Sequence, residues 1–469
     1  MTNKNLRFLS AALALIILGA TAIKAQDLNL NGISAADIKT MEADKGILDF
    51  FIKPDKPEAP QGRKEWTIMV FMNAKNNLSE SQLLGLMGKF AQKDIDEMKK
   101  VGTTGKVNVV VEYGAKGKGS RRMLIGKKSG FLSSGEKVYG EYPNADMGDY
   151  KRVVEFVQWS KKTFPARKYM LVLWNHGLGW IDPKMQKNSA DKGILFDDET
   201  KNYVRTRQMG EMMRQAGYVD VLMQNACLQQ MAEVLYEMKD YAGLFVGSEE
   251  TMLAQGFDYE KLLNFVNGNT AFTDEQFSDF LMNWLREFYA GGMNIGPISM
   301  PLDSIGATLS TVRPAALNEL PAYLNAFAGA AMRNNETEAV KAAVANAIRF
   351  TSLDPKDTKK TIAPYADLYD FAGILGRGSV SQETRQAAEN LMGFIKNRLV
   401  LRSIGLNKDA ENGYNYGNVG GIAINTTMKV KTVPPQLEAI FETKYGDLSL
   451  SKASQWDEFV AWTDGVWRK

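Results

Sequence analysis

Short apolar runs of strand character alternate with amphipathic helical segments over much of the first half of the chain, and this alternation limits the fold more than any other feature. The runs cover 67–72, 107–112, 169–174, 219–224 and 245–248. Segments between them, such as 149–164 and 205–216, carry apolar residues at helical spacing. The pattern is typical of βαβ units, in which helices cover a parallel sheet. We therefore predict an α/β fold, with an inserted hairpin over 122–127 and 135–142.

The single histidine and the single cysteine of the chain each follow one of these runs. Residues 169–174 lead through Asn175 to His176, and residues 219–224 lead through Asn225 and Ala226 to Cys227. Taken singly, each residue type is more often structural than reactive. Taken together they lie where parallel sheets open onto their binding crevice, and the cysteine follows the histidine by 51 positions, close to the spacing of about 50 found in caspase-type nucleophiles. This layout predicts a cysteine peptidase dyad.

The residues after Cys227 have helical spacing over 228–239, so we predict that the cysteine begins a helix. The positive end of a helix dipole would favour the thiolate. Unpaired N–H groups at that end can also donate to a developing oxyanion, with the N–H of Gly177 as a second donor. We predict Cys227 as the nucleophile, His176 as the general acid and base, and the backbones of Gly177 and Cys227 as the oxyanion hole.

The first 25 residues have the features of a bacterial signal peptide. Basic Lys4 and Arg7 precede a 16-residue apolar stretch over 8–23, and small residues follow near Ala25. This stretch is shorter than the roughly 20 residues that span a bilayer, so we favour a cleaved signal over a membrane anchor. Residues 26–63 are polar and end in a proline-rich run, which indicates a linker or a pro-segment. The predicted location is secreted or periplasmic.

Charge and residue counts exclude several classes of function. Removal of the signal's three basic residues leaves a formally neutral chain, so we predict neither nucleic-acid binding nor membrane binding after signal removal. One histidine and one cysteine nearly exclude a His/Cys metal site, and we predict no cofactor. Calcium is left open, because acidic residues cluster beyond the histidine strand: Asp182, Asp191, Asp197, Asp198 and Glu199. A solvated acidic loop is the alternative.

Several separate motifs resemble one family. They are 66–78, Asn175–Gly177, Asn225–Cys227 and 246–251, and they resemble the clostripain-like cysteine peptidases of the caspase and gingipain clan. The resemblance is strong over 66–260 and weaker at 365–371, 420–424 and 454–457. It implies a caspase-like three-layer α/β sandwich with a mostly parallel central sheet, a secreted cysteine endopeptidase with peptide or protein substrates, and often activation by self-cleavage.

The domain boundaries follow from this resemblance and from apolar spacing. We predict a peptidase domain over 64–265 and a mainly helical C-terminal α+β region over 266–469. Helices are predicted in this region at 274–289, 336–350 and 391–403, with a short strand at 422–424.

The pocket for P1, the residue on the amino side of the scissile bond, departs from the family pattern. In the family that this chain resembles, members that cut after Arg or Lys carry acidic residues at the positions of Asn225 and Gln255. We place these two amides in the pocket with Ser248, Glu249 and Glu250. Loss of the partner of a desolvated charge costs about 2–5 kcal/mol, or roughly 30-fold to several-thousand-fold. The neutral amides predict a P1 preference that is not basic, unless Glu249, Glu250 or Asp258 supplies a displaced acid.

Two further interpretations and one processing site complete the expectations. The chain is alternatively a catalytically weak or silent relative that binds a peptide or partner, or a non-enzymatic surface protein, although neither explains the paired His176 and Cys227. The polar segment 182–193 has the character of a cleavable loop. The resemblance implies a self-cut after a basic residue in such a segment, at Lys184, Lys187 or Lys192.

Overall fold

The computed structural model describes residues 63–78, 90–130, 133–184, 193–295, 298–350, 364–429 and 441–469. The predicted signal peptide and most of the predicted linker lie outside the described residues. So do residues 185–192 of the predicted cleavable loop, which include Asp191 of the acidic cluster.

Each of the five predicted runs overlaps a strand, most of these strands are longer than the run by a few positions, and several further strands were not predicted. In chain order they are β1 (Lys64–Ala74), β2 (Val107–Ala115), β3 (Gly119–Ile125), β4 (Glu136–Tyr142), β5 (Ala166–Trp174), β6 (Val219–Asn225), β7 (Ala242–Gly247), β8 (Met293–Ile295), β9 (Ile298–Met300), β10 (Ala307–Val312), β11 (Arg349–Phe350), β12 (Tyr365–Asp367), β13 (Val400–Leu406) and β14 (Ala423–Asn425).

Nine of these described strands form one sheet in the order β13-β10-β7-β6-β5-β1-β2-β3-β4. The five central strands, β7 to β2, are mutually parallel, and antiparallel strands extend the sheet at both ends. The parallel core explains the near-continuous apolar runs, because such strands are buried on both faces. The carboxyl ends of β1, β5 and β6 consequently meet at one edge.

Helices in the described residues cover both faces of this sheet. They are α1 (Phe90–Val101), α2 (Tyr150–Thr163), α3 (Thr206–Ala216), α4 (Ala232–Met238), α5 (Tyr259–Gly268), α6 (Asp274–Gly291), α7 (Leu320–Arg333), α8 (Thr337–Asn346), α9 (Leu368–Arg377), α10 (Gln382–Phe394), α11 (Ser449–Ala453) and α12 (Trp456–Arg468). No helix among the described residues combines the length and the apolar character needed to cross a bilayer.

Side chains of β5 show how the two layers are divided. Leu171 and Leu173 face a core shared with α2, α3 and α4, whereas Met170 and Val172 face a core shared with α1, α5 and α6. Alternation along the strand sends successive side chains to opposite faces. Helices α7 to α10 and α12 extend the first of these cores. The predicted α/β sandwich with a mostly parallel central sheet and a mainly helical C-terminal region is confirmed.

Three predicted helix boundaries are wrong. Helix α4 begins at Ala232 rather than directly after Cys227. Helix α8 ends at Asn346, and Arg349–Phe350 forms strand β11. The helix predicted over 391–403 ends at Phe394, continues as a π-helical turn, and becomes strand β13 at Val400. A short apolar run in a sequence does not distinguish a strand from a helix. Residues 400–406 form a strand because they pair with β10 in the antiparallel direction.

The region beyond 265 contributes to the main sheet as well as to the helical layer. Strands β10 and β13 extend the sheet beyond β7, and β12 and β14 pair in a separate three-stranded sheet with β11. The boundary at 265 stays a prediction. What the topology establishes is that strands from both predicted regions share one sheet.

Candidate active site

The register of β5 and β6 places the histidine and the cysteine at the same level of the sheet. These strands are parallel neighbours, and Trp174 at the end of β5 lies opposite Asn225 at the end of β6. The N–H of Asn175 donates to the Asn225 carbonyl at 3.3 Å, so the pairing continues past the last strand residue. His176 and Cys227 each come two positions after this pair. The topology therefore brings the two residues to adjacent strand ends.

Close backbone contact between the two segments requires glycine at position 177. A Cβ atom added at Gly177 would lie 2.3 Å from the carbonyl oxygen of Cys227 and 2.7 Å from Nε2 of Gln229. The Gln229 amide donates to that same Cys227 carbonyl at 3.3 Å. Any larger residue at 177 would have to displace the cysteine backbone.

Asparagine side chains hold His176. The ring Nε2 lies 2.8 Å from Oδ1 of Asn77, and the backbone N–H of His176 donates to Oδ1 of Asn175 at 2.6 Å. Asn175 in turn donates to the carbonyl of Asn73 at 2.6 Å and accepts from the N–H of Phe196 at 3.0 Å. An amide oxygen only accepts, so in this arrangement Nε2 carries the proton and Nδ1 has the lone pair needed for proton transfer.

Asn77 is a site residue that our sequence analysis did not assign. It follows β1, and β1 is the neighbour of β5 on the side away from β6. The sequence signal was available, because Asn77 stands just beyond a predicted strand and within a motif used for the family resemblance. Its contact with His176 could be predicted only from the order of the strands in the sheet.

The Cys227 thiol is half-buried and hydrogen-bonded. The backbone N–H of Met252 donates to Sγ at 3.3 Å. Burial raises the pKa of the Cys227 thiol to about 11, the Met252 N–H acts in the opposite direction, and the nearby Glu250 carboxyl adds to the rise. The expected helix-dipole stabilisation of the thiolate is therefore wrong for the free protein, because α4 begins five residues after the cysteine. A neighbouring base has to remove the thiol proton.

A strained turn follows the cysteine directly. Leu228 has a φ of 58°, in the left-handed region that a branched side chain rarely adopts. This conformation costs about 1–2 kcal/mol. The turn is held by the N–H of Leu228, which donates to the Glu250 carbonyl at 3.3 Å, and by the N–H of Gln230, which donates to the Ser248 carbonyl at 3.0 Å. Segment 248–250 thus fixes the backbone of the residues that follow Cys227.

Comparison with known proteins assigns the chain to a family. The model of the clostripain family matches residues 70–462. The chain belongs to the clostripain family. It is similar to clostripain of Hathewaya histolytica, with 22% identity over an alignment 322 residues long that covers 59% of this chain and 56% of clostripain. This chain therefore matches only about half the length of that relative.

Solved structures give the same fold. A secreted C11 cysteine protease from Bacteroides thetaiotaomicron, in complex with an irreversible peptide inhibitor, is 18% identical, with a TM-score of 0.58 over 84% of this chain and 100% of its own. An inactive zymogen C11 protease from Parabacteroides distasonis is 17% identical, with a TM-score of 0.59 over 84% of this chain and 99% of its own. The predicted family is confirmed.

In this clostripain-family chain the turn that follows Gln255 approaches Asn225, the other amide predicted for the P1 pocket. The buried Asn225 donates through Nδ2 to the hydroxyl of Tyr259 at 3.2 Å. Gly256 has a φ of +56°, and a Cβ added there would lie 2.5 Å from Oδ1 of Asn225. Gln255, which is partly buried, immediately precedes that glycine. The turn that carries Gln255 therefore packs directly on Asn225.

Two of the acids considered as displaced pocket charges, Asp258 and Glu250, have other partners in this structure. Asp258 accepts from the N–H of Lys261 at 2.9 Å and caps α5. Glu250 accepts from the N–H of Thr251 at 2.7 Å and from the hydroxyl of Tyr416. Glu249 is buried, and burial followed by repulsion from Asp367 raises its pKa well above the usual range.

Ser248 also faces the interior. Its hydroxyl lies 2.9 Å from the hydroxyl of Thr308 on β10 and accepts from the N–H of Glu250 at 3.2 Å.

A further acid, not predicted from the sequence, lies near Tyr259, the partner of Asn225. Asp94 on α1 is fully buried and accepts from the indole N–H of Trp174 at 2.8 Å. Burial, and secondarily the charge of Glu97, raises the pKa of Asp94 well above its usual range. Asp94 also contributes to the raised pKa of Tyr259, the partner of Asn225. Burial of this carboxyl therefore favours its neutral form.

The acidic residues beyond the histidine strand are satisfied by the protein itself. Nζ of the buried Lys75 lies 2.9 Å from Glu199 and 3.6 Å from Asp197. Asp182 accepts from the N–H of Thr206 at 3.0 Å and from the hydroxyl of Thr443. Among the described residues, which omit Asp191, no group of three or more His, Cys, Asp or Glu has the geometry to hold a metal ion. Lys75 supplies the positive charge at Asp197 and Glu199.

Proposed function

We propose that this protein is a cysteine endopeptidase in which Cys227 is the nucleophile and His176 the general acid and base. The observation that carries the proposal is the register of β5 and β6, which puts the single histidine and the single cysteine of the chain at adjacent strand ends. Membership in the clostripain family supports the same reaction class. The substrates are peptides or proteins.

The reaction begins with transfer of the thiol proton from Cys227 to Nδ1 of His176, with Asn77 holding Nε2. The raised pKa of the Cys227 thiol leaves little thiolate at pH 7, so this transfer accompanies attack on the substrate. Sγ attacks the scissile carbonyl, and the backbone N–H groups of Cys227 and Gly177 stabilise the oxyanion.

His176 then returns the proton to the leaving amine, and the C–N bond breaks to give an acyl-enzyme. In the second half, His176 removes a proton from water, the resulting hydroxide attacks the thioester carbonyl, and the C–S bond breaks. Cys227 recovers its proton, so atoms and charges balance over one hydrolysis.

Specificity in this proposal follows from the neutral pocket amides. Asn225 and Gln255 offer hydrogen-bond donors and acceptors without a compensating negative charge. A guanidinium or ammonium group would be poorly paired beside them, whereas a neutral polar or medium-sized apolar side chain would satisfy the amides or displace water. We propose a P1 preference that is not basic.

Export and processing complete the proposal. Residues 1–25 act as a signal peptide and direct the chain to the periplasm or the medium, which agrees with the similar Bacteroides protein being described as secreted. A self-cut between 182 and 193 stays a prediction. Mass spectrometry of purified protein would test it, and a chain that stays intact while it cleaves other peptides would contradict it.

The decisive experiment compares wild-type protein with Cys227→Ala on a peptide library. We expect wild type to hydrolyse peptides and to react once with a thiol-directed peptidyl inhibitor, and the variant to do neither while it retains its fold by circular dichroism. The single cysteine makes the labelling unambiguous. Peptidase activity retained in Cys227→Ala would refute the mechanism, and a labelled wild type that cleaves nothing would favour a silent, peptide-binding relative.

A further inference from the structure

The loop that contacts the nucleophile is tied to the C-terminal region through one carboxylate. Glu250 is buried, and its Oε1 accepts from the N–H of Thr251 at 2.7 Å. Its Oε2 accepts from the hydroxyl of Tyr416, which itself accepts from Nδ2 of Asn412 at 2.7 Å. Both carboxylate oxygens therefore have a donor, one from the loop and one from the C-terminal region.

The same loop contacts Cys227 and the residue that follows it. The carbonyl of Glu250 accepts from the N–H of Leu228, the residue after the nucleophile, at 3.3 Å. Two residues later the N–H of Met252 donates to Sγ at 3.3 Å. A shift in the backbone of residues 250–252 would therefore move the donor that stabilises the thiolate.

Tyr416 is itself held in place from several directions. It is fully buried, and its backbone N–H donates to the carbonyl of Asn407 at 3.1 Å. A Cβ added at Gly306 would lie 2.1 Å from its ring, and one added at Gly405 would lie 1.8 Å from its carbonyl oxygen. Phe350 stacks on the ring with 5.6 Å between centroids. Such packing makes the phenol a rigid support for Glu250.

We propose that Tyr416 is a positioning residue for the nucleophile: by holding Glu250 it fixes the backbone of residues 250–252 and aims the N–H of Met252 at Sγ of Cys227. The inference rests on the proposed role of Cys227 and gives the C-terminal region a part in catalysis. Tyr416 acts through other groups and does not contact the reacting atoms.

The charged and titratable groups around Glu250 set the sign of the expected effects. They are Tyr416 and Asp409 from the C-terminal region, Tyr289 on α6, Glu249 beside it, and Cys227. Burial raises the pKa of Glu250 to about 7. Its ionised form raises the pKa of the Cys227 thiol. Positioning by Tyr416 thus lowers the pKa of the Cys227 thiol, whereas the charge of Glu250 raises it. Separate variants distinguish the two effects.

The test measures alkylation of Cys227 by iodoacetamide as a function of pH, together with peptide hydrolysis. In Tyr416→Phe the ring is kept and the donor lost, so we expect kcat/KM to fall about tenfold with KM nearly unchanged. Alkylation at pH 8 should also fall about tenfold and recover about one pH unit higher, because less thiolate forms. Glu250→Gln, which removes the charge but retains an oxygen acceptor, should alkylate at least as fast as wild type.

Tyr445→Phe is a matched control, because Tyr445 also donates to a buried carboxylate, Glu233 on α4, at 2.7 Å. It should leave alkylation within about twofold of wild type. Asn412→Ala, at a partly exposed position, is a milder variant should Tyr416→Phe fail to fold, and it should change alkylation in the same direction. Unchanged alkylation in both Tyr416→Phe and Asn412→Ala, or an equal loss in Tyr445→Phe, would overturn the proposal.

Alkylation reports only on Cys227, the single cysteine, and needs no substrate. A wild type without peptidase activity would count against the proposed function. The comparison of alkylation rates would still decide the role of Tyr416.

Discussion

Trp174 and Asn225 lie opposite each other on neighbouring parallel strands, and their pairing sets the geometry of the candidate site. Each is followed two residues later by the chain's single residue of a reactive type, His176 or Cys227. Because parallel strands advance in step, an equal offset past the same register pair places the imidazole-bearing and thiol-bearing segments side by side. A one-residue slip of either strand would turn its side chains to the other face.

We expect Asn77→Ala to lower kcat about fivefold with little change in KM. The variant removes the acceptor that holds Nε2 of His176 at 2.8 Å, and one such hydrogen bond is worth about 1 kcal/mol. Steady-state kinetics on the best library peptide would measure the effect. Asn346→Ala, which removes an amide contact at the exposed end of α8, is the control. An unchanged kcat in Asn77→Ala would show that Asn77 does not orient the ring.

Gly177→Ala should abolish most activity, by at least about 100-fold. The new Cβ would lie 2.3 Å from the carbonyl of Cys227, and displacement of a catalytic backbone by about 1 Å typically costs this much. Gly465→Ala on α12 is the matched control, because a Cβ there meets open space. It should retain full activity and gain about 0.5–1 kcal/mol in free energy of unfolding. Near-normal kcat/KM in Gly177→Ala would contradict the close approach.

The double variant Asn225→Asp with Gln255→Asp should raise kcat/KM for Arg-P1 peptides at least about tenfold. It supplies carboxylates where the Gly256 turn packs on Asn225, and about 1.4 kcal/mol of charge pairing corresponds to tenfold. Matched peptides with Arg or a neutral residue at P1 would measure the change.

A wild-type P1 profile dominated by Arg or Lys would refute the neutral-pocket proposal. In that case Asp94→Asn and Glu250→Gln would show which buried acid pairs with the basic side chain.

The free energy of unfolding should fall as pH rises from about 4 to 7. Burial raises the pKa of Glu233, Glu250 and Asp182 to about 7, so in this window the folded state binds more protons than the unfolded state. Stability contributed by these protons is fully present below the unfolded pKa of about 4 and is lost as pH passes through 7.

Glu233→Gln should flatten this dependence by of order 1 kcal/mol per pH unit, because it removes one titrating group. Urea unfolding at several pH values would measure the slope, and Glu338→Gln on an exposed helix face is the control. A stability that rises steadily from pH 4 to 7 would contradict the predicted sign.

The central strands, most of the covering helices and the family could be predicted from local pattern. Residues 170–174 and 221–223 are buried on both faces of the sheet, so each segment is a continuous apolar run that is readable without a structure. Residues 400–406 were harder, because a strand at the sheet edge alternates burial weakly and its apolar start continues the pattern of α10. Its assignment depended on a partner strand far away in sequence.

The sequence by itself determined that one histidine and one cysteine follow two strands, since strand ends and residue identity are local properties. The tertiary structure alone decided which groups surround them: Asn77 at the imidazole, Met252 at the thiol, and Tyr416 behind Glu250. It also decided that the pKa of the Cys227 thiol is raised, because burial is a property of the assembled chain. The helix dipole expected from the sequence would have lowered this pKa. Hydrogen-bond partners at this site come from residues up to 166 positions apart, and only the folded chain brings them together.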